Sequence, residues 1–131
     1  MLEETIRVNF YDTDALKHVS NTAIVRWFEG ARDPIFRYFT PDLDVENWPL
    51  IVASYKVDLL AQTFLGDVTI KTGISRIGNS SFTVFQEVWQ NGKRCAKGET
   101  ALVHFNYQNH KSEPIPSSVR EKLEALIVEG D

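Results

Sequence analysis

The sequence predicts an α+β fold, in which an antiparallel β-sheet covers one face of a long α-helix. Two observations carry this prediction. The N-terminal third has a single broad apolar stripe at helical spacing. After about residue 50 the chain breaks into segments of strand character that are separated by turn signals. The helix has to bury its stripe, and the sheet offers the surface that can cover it.

The N-terminal elements are a strand and a helix that breaks once. Residues 5–11 alternate between apolar and polar side chains, which predicts a half-buried strand. After a polar loop, Ser20 or Asn21 is a suitable helix N-cap. Pro34 falls inside the helical pattern, and Asp33 before it suits a new N-cap. We therefore predict two helices that meet near residue 33. The apolar stripe consists of Ile24, Trp27, Phe28, Ala31, Ile35, Tyr38 and Phe39.

The sequence after about residue 50 predicts a run of antiparallel strands and a short terminal helix. The strand candidates are 50–60, 68–74, 82–89 and 94–107. Asn91-Gly92 is the strongest hairpin signal in the chain. Ser118, with Glu121 three residues later, predicts a capping box. The open edges of such a sheet are often paired in a dimer.

Composition limits the classes of function. The chain has 131 residues and 15.0 kDa, which suits one domain over 1–131. Its net charge of −4 argues against general affinity for nucleic acid or for an anionic membrane surface. The apolar runs are too short for a membrane helix, and we see no export signal at the start of the chain. We therefore expect a soluble, cytoplasmic protein without membrane insertion.

The densest polar cluster lies between the first strand and the main helix, over residues 11–21. A helix N-terminus presents free N–H groups and partial positive charge. Asp14 beside it could act as a base or nucleophile on a carbonyl group that these N–H groups polarise. His18 could hold the loop or transfer a proton. The alternative is that Asp12, Asp14 and His18 only satisfy backbone groups of the loop.

Other residues favour structural interpretations. Glu29, Arg32 and Arg37 are expected on a solvated helix face, with Glu29 paired to Arg26 or Arg32. Cys95 is the single cysteine and is expected to be packed in the interior. The three histidines lack metal-site spacing, and neither a glycine-rich phosphate loop nor a Gly-x-Ser-x-Gly elbow is present.

The stretch from Val8 to Arg32 resembles the hotdog-fold acyl-CoA thioesterases of the 4-hydroxybenzoyl-CoA thioesterase and YbgC-like type. Their pattern runs Asp-Thr-Asp, a loop usually ending Gly-His-Val-Asn-Asn, and a helix carrying Glu-x-Ala-Arg. The resemblance extends to Leu65-Gly66-Asp67 and to residues 76–82. It implies a hotdog fold, an antiparallel sheet wrapped around a long central helix, with a short C-terminal helix. It also implies a homodimer with sites at its interface, which could pair further into a tetramer.

The resemblance implies roles for three residues in the hydrolysis of acyl-CoA or acyl-carrier-protein thioesters. Asp14 takes the position of the catalytic carboxylate, as general base or nucleophile. The backbone N–H of Asn21 takes the position facing the thioester oxygen, and His18 that of the loop histidine. No metal or redox cofactor is implied. A protein that binds acyl thioesters without hydrolysing them is the main alternative, and a dehydratase of hydroxyacyl thioesters ranks below it because His18 lacks the proline-rich loop typical of that class.

The chain departs from the family pattern in the loop. Lys17 replaces the usual glycine, so we expect a different backbone angle there and an added positive charge at the mouth of the site. Ser20 replaces the first asparagine. Surface cations are expected to meet the phosphates of coenzyme A, and the candidates are Lys71, Arg76, Lys93, Arg94 and Lys97.

Overall fold

A computed structural model describes residues 1–129, so the last two residues of the predicted domain lie outside the described part. The strands are β1 (Leu2–Val8), β2 (Leu50–Leu59), β3 (Gly66–Ile77), β4 (Ser81–Gln90), β5 (Lys93–Asn106) and β6 (Lys111–Ser112). The helices are α1 (Asn21–Ala31), α2 (Asp33–Phe39) and α3 (Ser117–Glu124). Single 3-10 turns lie at Phe10–Asp12 and Val45–Asn47. None of the helices within residues 1–129 is long and apolar enough to cross a membrane.

The sheet is antiparallel throughout, and its strand order is β1-β3-β4-β5-β2, with the short β6 pairing the end of β5. The predicted antiparallel sheet is confirmed, although β6 was not predicted. Asn91 and Gly92 form the β4–β5 turn with φ angles of +51° and +76°, the left-handed conformation that the hairpin signal requires. β1 and β2 are the two outer strands.

The helices pack on one face of this sheet. Ala23, Ile24 and Phe28 of α1 are buried against the apolar side chains of β3, β4 and β5. The predicted break near residue 33 is confirmed: α1 ends at Ala31 and α2 begins at Asp33. The N-cap of α2 is Arg32 rather than Asp33, and Pro34 takes the second helical position, where its missing N–H costs no hydrogen bond.

Two element ends differ from the predictions. β1 ends at Val8 rather than Tyr11, because the Asp12 carboxylate accepts the N–H of Asn9 at 2.9 Å and closes a 3-10 turn. The capping box at Ser118 is wrong: α3 has Pro116 as its N-cap, and no side chain caps it. Proline restricts its own φ angle, so the restricted backbone of Pro116, and not a hydrogen bond from a serine hydroxyl, determines where α3 begins.

The prediction that Arg32 lies on a solvated helix face is wrong. It is buried, and its Nη1 donates to Gln86 Oε1 and to Thr100 Oγ1, both at 3.3 Å. Burial lowers the pKa of the Arg32 guanidinium, which remains protonated at neutral pH. Arg26 was one of the two partners expected for Glu29. It pairs instead with Asp12 at 3.3 Å.

We predict that Gly98→Ala destabilises the fold by about 1–3 kcal/mol, the usual cost of overpacking a core. A Cβ on Gly98 would lie 2.8 Å from Cε2 of Phe28 and 3.3 Å from the backbone oxygen of Lys56, so the ring of Phe28 would have to move. Gly30→Ala is the matched control, because a Cβ there meets nothing within 4 Å and should gain about 0.5–1 kcal/mol from helix propensity. Urea unfolding measures both; equal stability of the two variants would contradict the packing argument.

Candidate active site

Residues 13–19 form a small hairpin that leads from β1 into α1. Thr13 and Val19 pair as an antiparallel bridge, and the N–H of Asp14 donates to the carbonyl oxygen of His18 at 2.8 Å. Lys17 donates its N–H to the carbonyl of Asp14 at 3.0 Å and has φ +65°. Lys17 therefore adopts the left-handed conformation that glycine favours.

Asp14 presents its carboxylate at the tip of this hairpin, exposed to solvent. Oδ1 accepts the N–H of Leu16 at 2.8 Å and the N–H of His18 at 3.3 Å, which fixes the side-chain torsions. No donor within residues 1–129 is bonded to Oδ2. One oxygen is thus used to orient the group, while the other is available to a ligand or water.

Asp12 has a different environment. Its side chain is buried and accepts both the N–H of Asn9 and the guanidinium of Arg26. Its carbonyl oxygen accepts the N–H of Ser20 at 2.7 Å. These contacts tie the start of the loop to the residue before α1, as expected for a structural aspartate.

The N-terminus of α1 is left without a side-chain cap. Ser20 occupies the N-cap position, but its hydroxyl pairs with that of Thr22 at 3.0 Å instead of accepting a backbone N–H. No backbone carbonyl of residues 1–129 accepts the N–H of Asn21, the first helical residue. Uncapped N–H groups and the helix dipole favour an electron-rich oxygen at this point.

A depression of about 310 Å³ opens beside this helix end. Of the three predicted site residues, Asn21 lines it, whereas Asp14 and His18 lie outside its wall. The ring of His18 instead packs edge-on against Phe64, with centroids 5.4 Å apart. The wall consists of Val19, Asn21, Ile24, Leu59, Leu60, Ala61, Gln62 and Thr63.

Much of this wall comes from the β2–β3 connection, which sequence reasoning did not assign to the site. The N–H of Val19 donates to the carbonyl of Thr63 at 2.8 Å and joins this connection to the Asp14 hairpin. The side-chain amide of Gln90 bonds both backbone groups of Phe64, at 2.9 and 2.8 Å. The wall is therefore held in place from both sides.

The described residues offer no group of three or more His, Cys, Asp or Glu side chains that could hold a metal ion. Cys95 is buried, as predicted, and its Sγ lies 3.6 Å from the carbonyl oxygens of Gln62 and Lys93. The site is therefore built from a carboxylate, a helix N-terminus and a partly apolar depression.

The family model of the thioesterase-like superfamily matches residues 8–123. The chain belongs to this superfamily. Its fold is the hotdog fold predicted from the resemblance, and thioester hydrolysis is the general activity that the family supports. Comparison with curated proteins gave no match.

Solved structures of this thioesterase group superpose over nearly the whole chain. A predicted thioesterase from Bacillus stearothermophilus is 40% identical, with a TM-score of 0.94 and 98% of each chain covered. A Thermus thermophilus thioesterase complexed with coenzyme A and Zn is 32% identical, with a TM-score of 0.83 and coverage of 95% of this chain and 92% of that one. A gentisyl-coenzyme A thioesterase is 26% identical, with a TM-score of 0.79 and coverage of 91% and 99%.

Proposed function

We propose that this thioesterase hydrolyses acyl-CoA or acyl-carrier-protein thioesters to a free acid and a thiol. The observation that carries the proposal is the uncapped N-terminus of α1, which opens into a depression beside the loop that presents Asp14. The net reaction consumes one water: the carbon–sulfur bond breaks, the acyl carbon gains an oxygen, and the leaving thiolate takes up a proton.

The thioester oxygen would dock at the start of α1. There the N–H of Asn21, together with the helix dipole, stabilises the negative charge that develops on this oxygen. One such donor contributes about 3–4 kcal/mol to lowering the barrier in well-studied hydrolases. The backbone N–H of Asn21 thus has this role, and the side chain of Asn21 is not needed for it.

Asp14 supplies the carboxylate that activates water or attacks the thioester. Its Oδ1 is fixed by two backbone N–H groups, and its Oδ2 is directed at no donor of the described chain. The carboxylate acts either as general base on water or as nucleophile that forms a mixed anhydride. His18 holds the hairpin against Phe64 and so supports the position of Asp14.

We further propose a homodimer that pairs through β2, which could assemble into a tetramer. β2 is an outer strand with exposed apolar side chains, such as Val52 and Tyr55. Antiparallel pairing centred on β2 would bring the start of one strand next to the end of the other. A cavity of about 400 Å³ near Trp48, His104 and Tyr107 would then adjoin the depression of the second copy and could receive part of the acyl group.

Coenzyme A is bound by the Thermus relative, which supports it as the thiol part of the substrate. Of the cations predicted to meet its phosphates, Lys71 lies over the ring of Trp89 at 4.8 Å, and Arg94 pairs with Glu87 at 2.8 Å. The register places these groups on the face of the sheet opposite α1. Lys17, exposed in the Asp14 hairpin, is the cation nearest to the proposed reaction centre along the chain.

Release of free thiol from a panel of acyl-CoAs tests the proposal. The panel runs from short to long aliphatic chains and includes aromatic acyl groups, since one relative is a gentisyl-coenzyme A thioesterase. We expect turnover of at least one member, and the preferred one defines the acyl class. If neither acyl-CoA nor acyl-carrier-protein is hydrolysed but acyl-CoA still binds, the chain is the non-hydrolytic binding protein considered above.

A further inference from the structure

Thr63 is a buried polar residue with a hydroxyl that stays unpaired among the described residues. It is 3% exposed, and its Oγ1 has no hydrogen-bond partner among residues 1–129. Buried hydroxyls in proteins are nearly always paired, so an unpaired one calls for a ligand or a water molecule that completes it. Thr63 also forms part of the wall of the depression that contains Asn21.

The backbone around Thr63 is fixed, so its hydroxyl is presented from a rigid support. Its carbonyl oxygen accepts the N–H of Val19, and Gln90 holds both backbone groups of Phe64. The buried, β-branched side chain of Thr63 is itself restricted at χ1. Groups held in this way lose little entropy when they bind a ligand.

We infer that the Thr63 hydroxyl donates a hydrogen bond to the thioester carbonyl oxygen, as a side-chain donor beside the N–H of Asn21. The inference rests on the proposed function. The N-terminus of α1 attracts a hydrogen-bond acceptor to this depression, and Thr63 is one of the residues that line it, so its buried, unpaired hydroxyl would meet that acceptor as a donor. Because the oxygen gains charge in the transition state, this bond strengthens there, so its loss lowers kcat as well as the affinity for the ground-state carbonyl group.

The kinetic test compares Thr63→Val, which keeps the shape, with Thr63→Ser, which keeps the hydroxyl. We expect kcat to fall about 10- to 100-fold in the valine variant and to be largely restored in the serine variant. Thermal stability of Thr63→Val should be unchanged or higher, because the substitution removes an unpaired buried hydroxyl. A loss of stability without a loss of kcat would show a structural role and overturn the inference.

Thr40→Val is the matched control. Thr40 is buried at the end of α2, and its Oγ1 accepts the N–H of Asp44 at 2.9 Å. This variant should lose stability because the N–H of Asp44 loses its partner, while its kcat should stay at the wild-type value. A fall of kcat in Thr40→Val equal to that in Thr63→Val would mean that the assay reports stability, and would overturn the inference.

Binding of two inert analogues separates the inference from hydrolysis itself. One is a coenzyme A ketone with a methylene in place of the sulfur, and the other is a thioether that lacks the carbonyl group. Thr63→Val should weaken binding of the ketone about 10-fold and leave the thioether unchanged. Equal effects on both analogues, or none, overturn the role of Thr63 even if the wild type hydrolyses thioesters. If Thr63→Val weakens binding of the ketone alone although the wild type releases no thiol, the role of Thr63 is sustained and hydrolysis is refuted. If the wild type binds neither analogue, both the role of Thr63 and hydrolysis are refuted.

Discussion

Replacing Asp14 by asparagine is expected to lower kcat about 100- to 10,000-fold, the range that a general base or nucleophile contributes. The amide cannot accept a proton from water or form an anhydride, so both proposed roles are lost together. Its oxygen can still accept the N–H groups of Leu16 and His18, which hold the carboxylate at 2.8 and 3.3 Å. The hairpin should therefore keep its shape, and binding of substrate should remain.

Steady-state thiol release, circular dichroism and binding of the ketone analogue check this result. Asp33→Asn serves as the control, because Asp33 forms only an exposed ion pair with Arg37 at 2.8 Å, and its loss should cost about 0.2–1 kcal/mol of stability and no activity. A variant at residue 14 with wild-type kcat would reassign the role to His18. Single turnovers in ¹⁸O-labelled water detect an anhydride that is opened at the side-chain carbon of Asp14. A general base places the label in the product acid, whereas an anhydride opened at the side-chain carbon leaves it on Asp14.

Local signals in the sequence were sufficient for the parts of the fold that depend on a few adjacent residues. Asn91-Gly92 makes its turn with two positive φ angles, and Pro34 marks the break between α1 and α2. The end of β1 and the cap of α3 are exceptions: both are set by adjacent residues, but a second local signal competed with the predicted one. The Asp12 carboxylate bonds back to Asn9, and Pro116 replaces the predicted hydroxyl cap.

In the candidate site too, residues of one continuous segment could be predicted, whereas residues that the fold brings together could not. Asp14, His18 and Asn21 lie in one continuous segment, so a motif can point to all three, and the structure places them in one hairpin and the helix start that follows it. Thr63 enters from the β2–β3 connection, and only the fold brings it beside Asn21. The burial of Arg32 likewise depends on Gln86 and Thr100, which come from separate strands. Contacts between distant segments leave no periodic signal in the sequence.

The second large effect is expected at the outer strand β2. Val52→Glu should convert the proposed dimer into a monomer and lower kcat/KM at least about 10-fold. Val52 is 46% exposed and lines a cavity of about 260 Å³ between α1 and β2, together with Val25 and Tyr55. In the paired sheet this side chain would lose its contact with water, and burying a carboxylate there, in a cavity also lined by Glu29 and Arg32, costs several kcal/mol of desolvation. In the monomer the same carboxylate stays hydrated, so the fold itself should be retained.

Light scattering after size-exclusion chromatography measures the mass, and the thiol assay measures the activity of the same fractions. Ile127→Glu is the matched control, because Ile127 is 54% exposed and lies after α3, away from β2. It should remain a dimer with wild-type kcat/KM.

The activity of the Val52→Glu monomer shows whether one chain is sufficient to form the site. If a folded Val52→Glu monomer keeps full activity, the depression beside Asn21 is sufficient by itself. If activity falls with the mass, the second copy completes the pocket, as expected when the 400 Å³ cavity near Trp48 of one chain adjoins the helix start of the other.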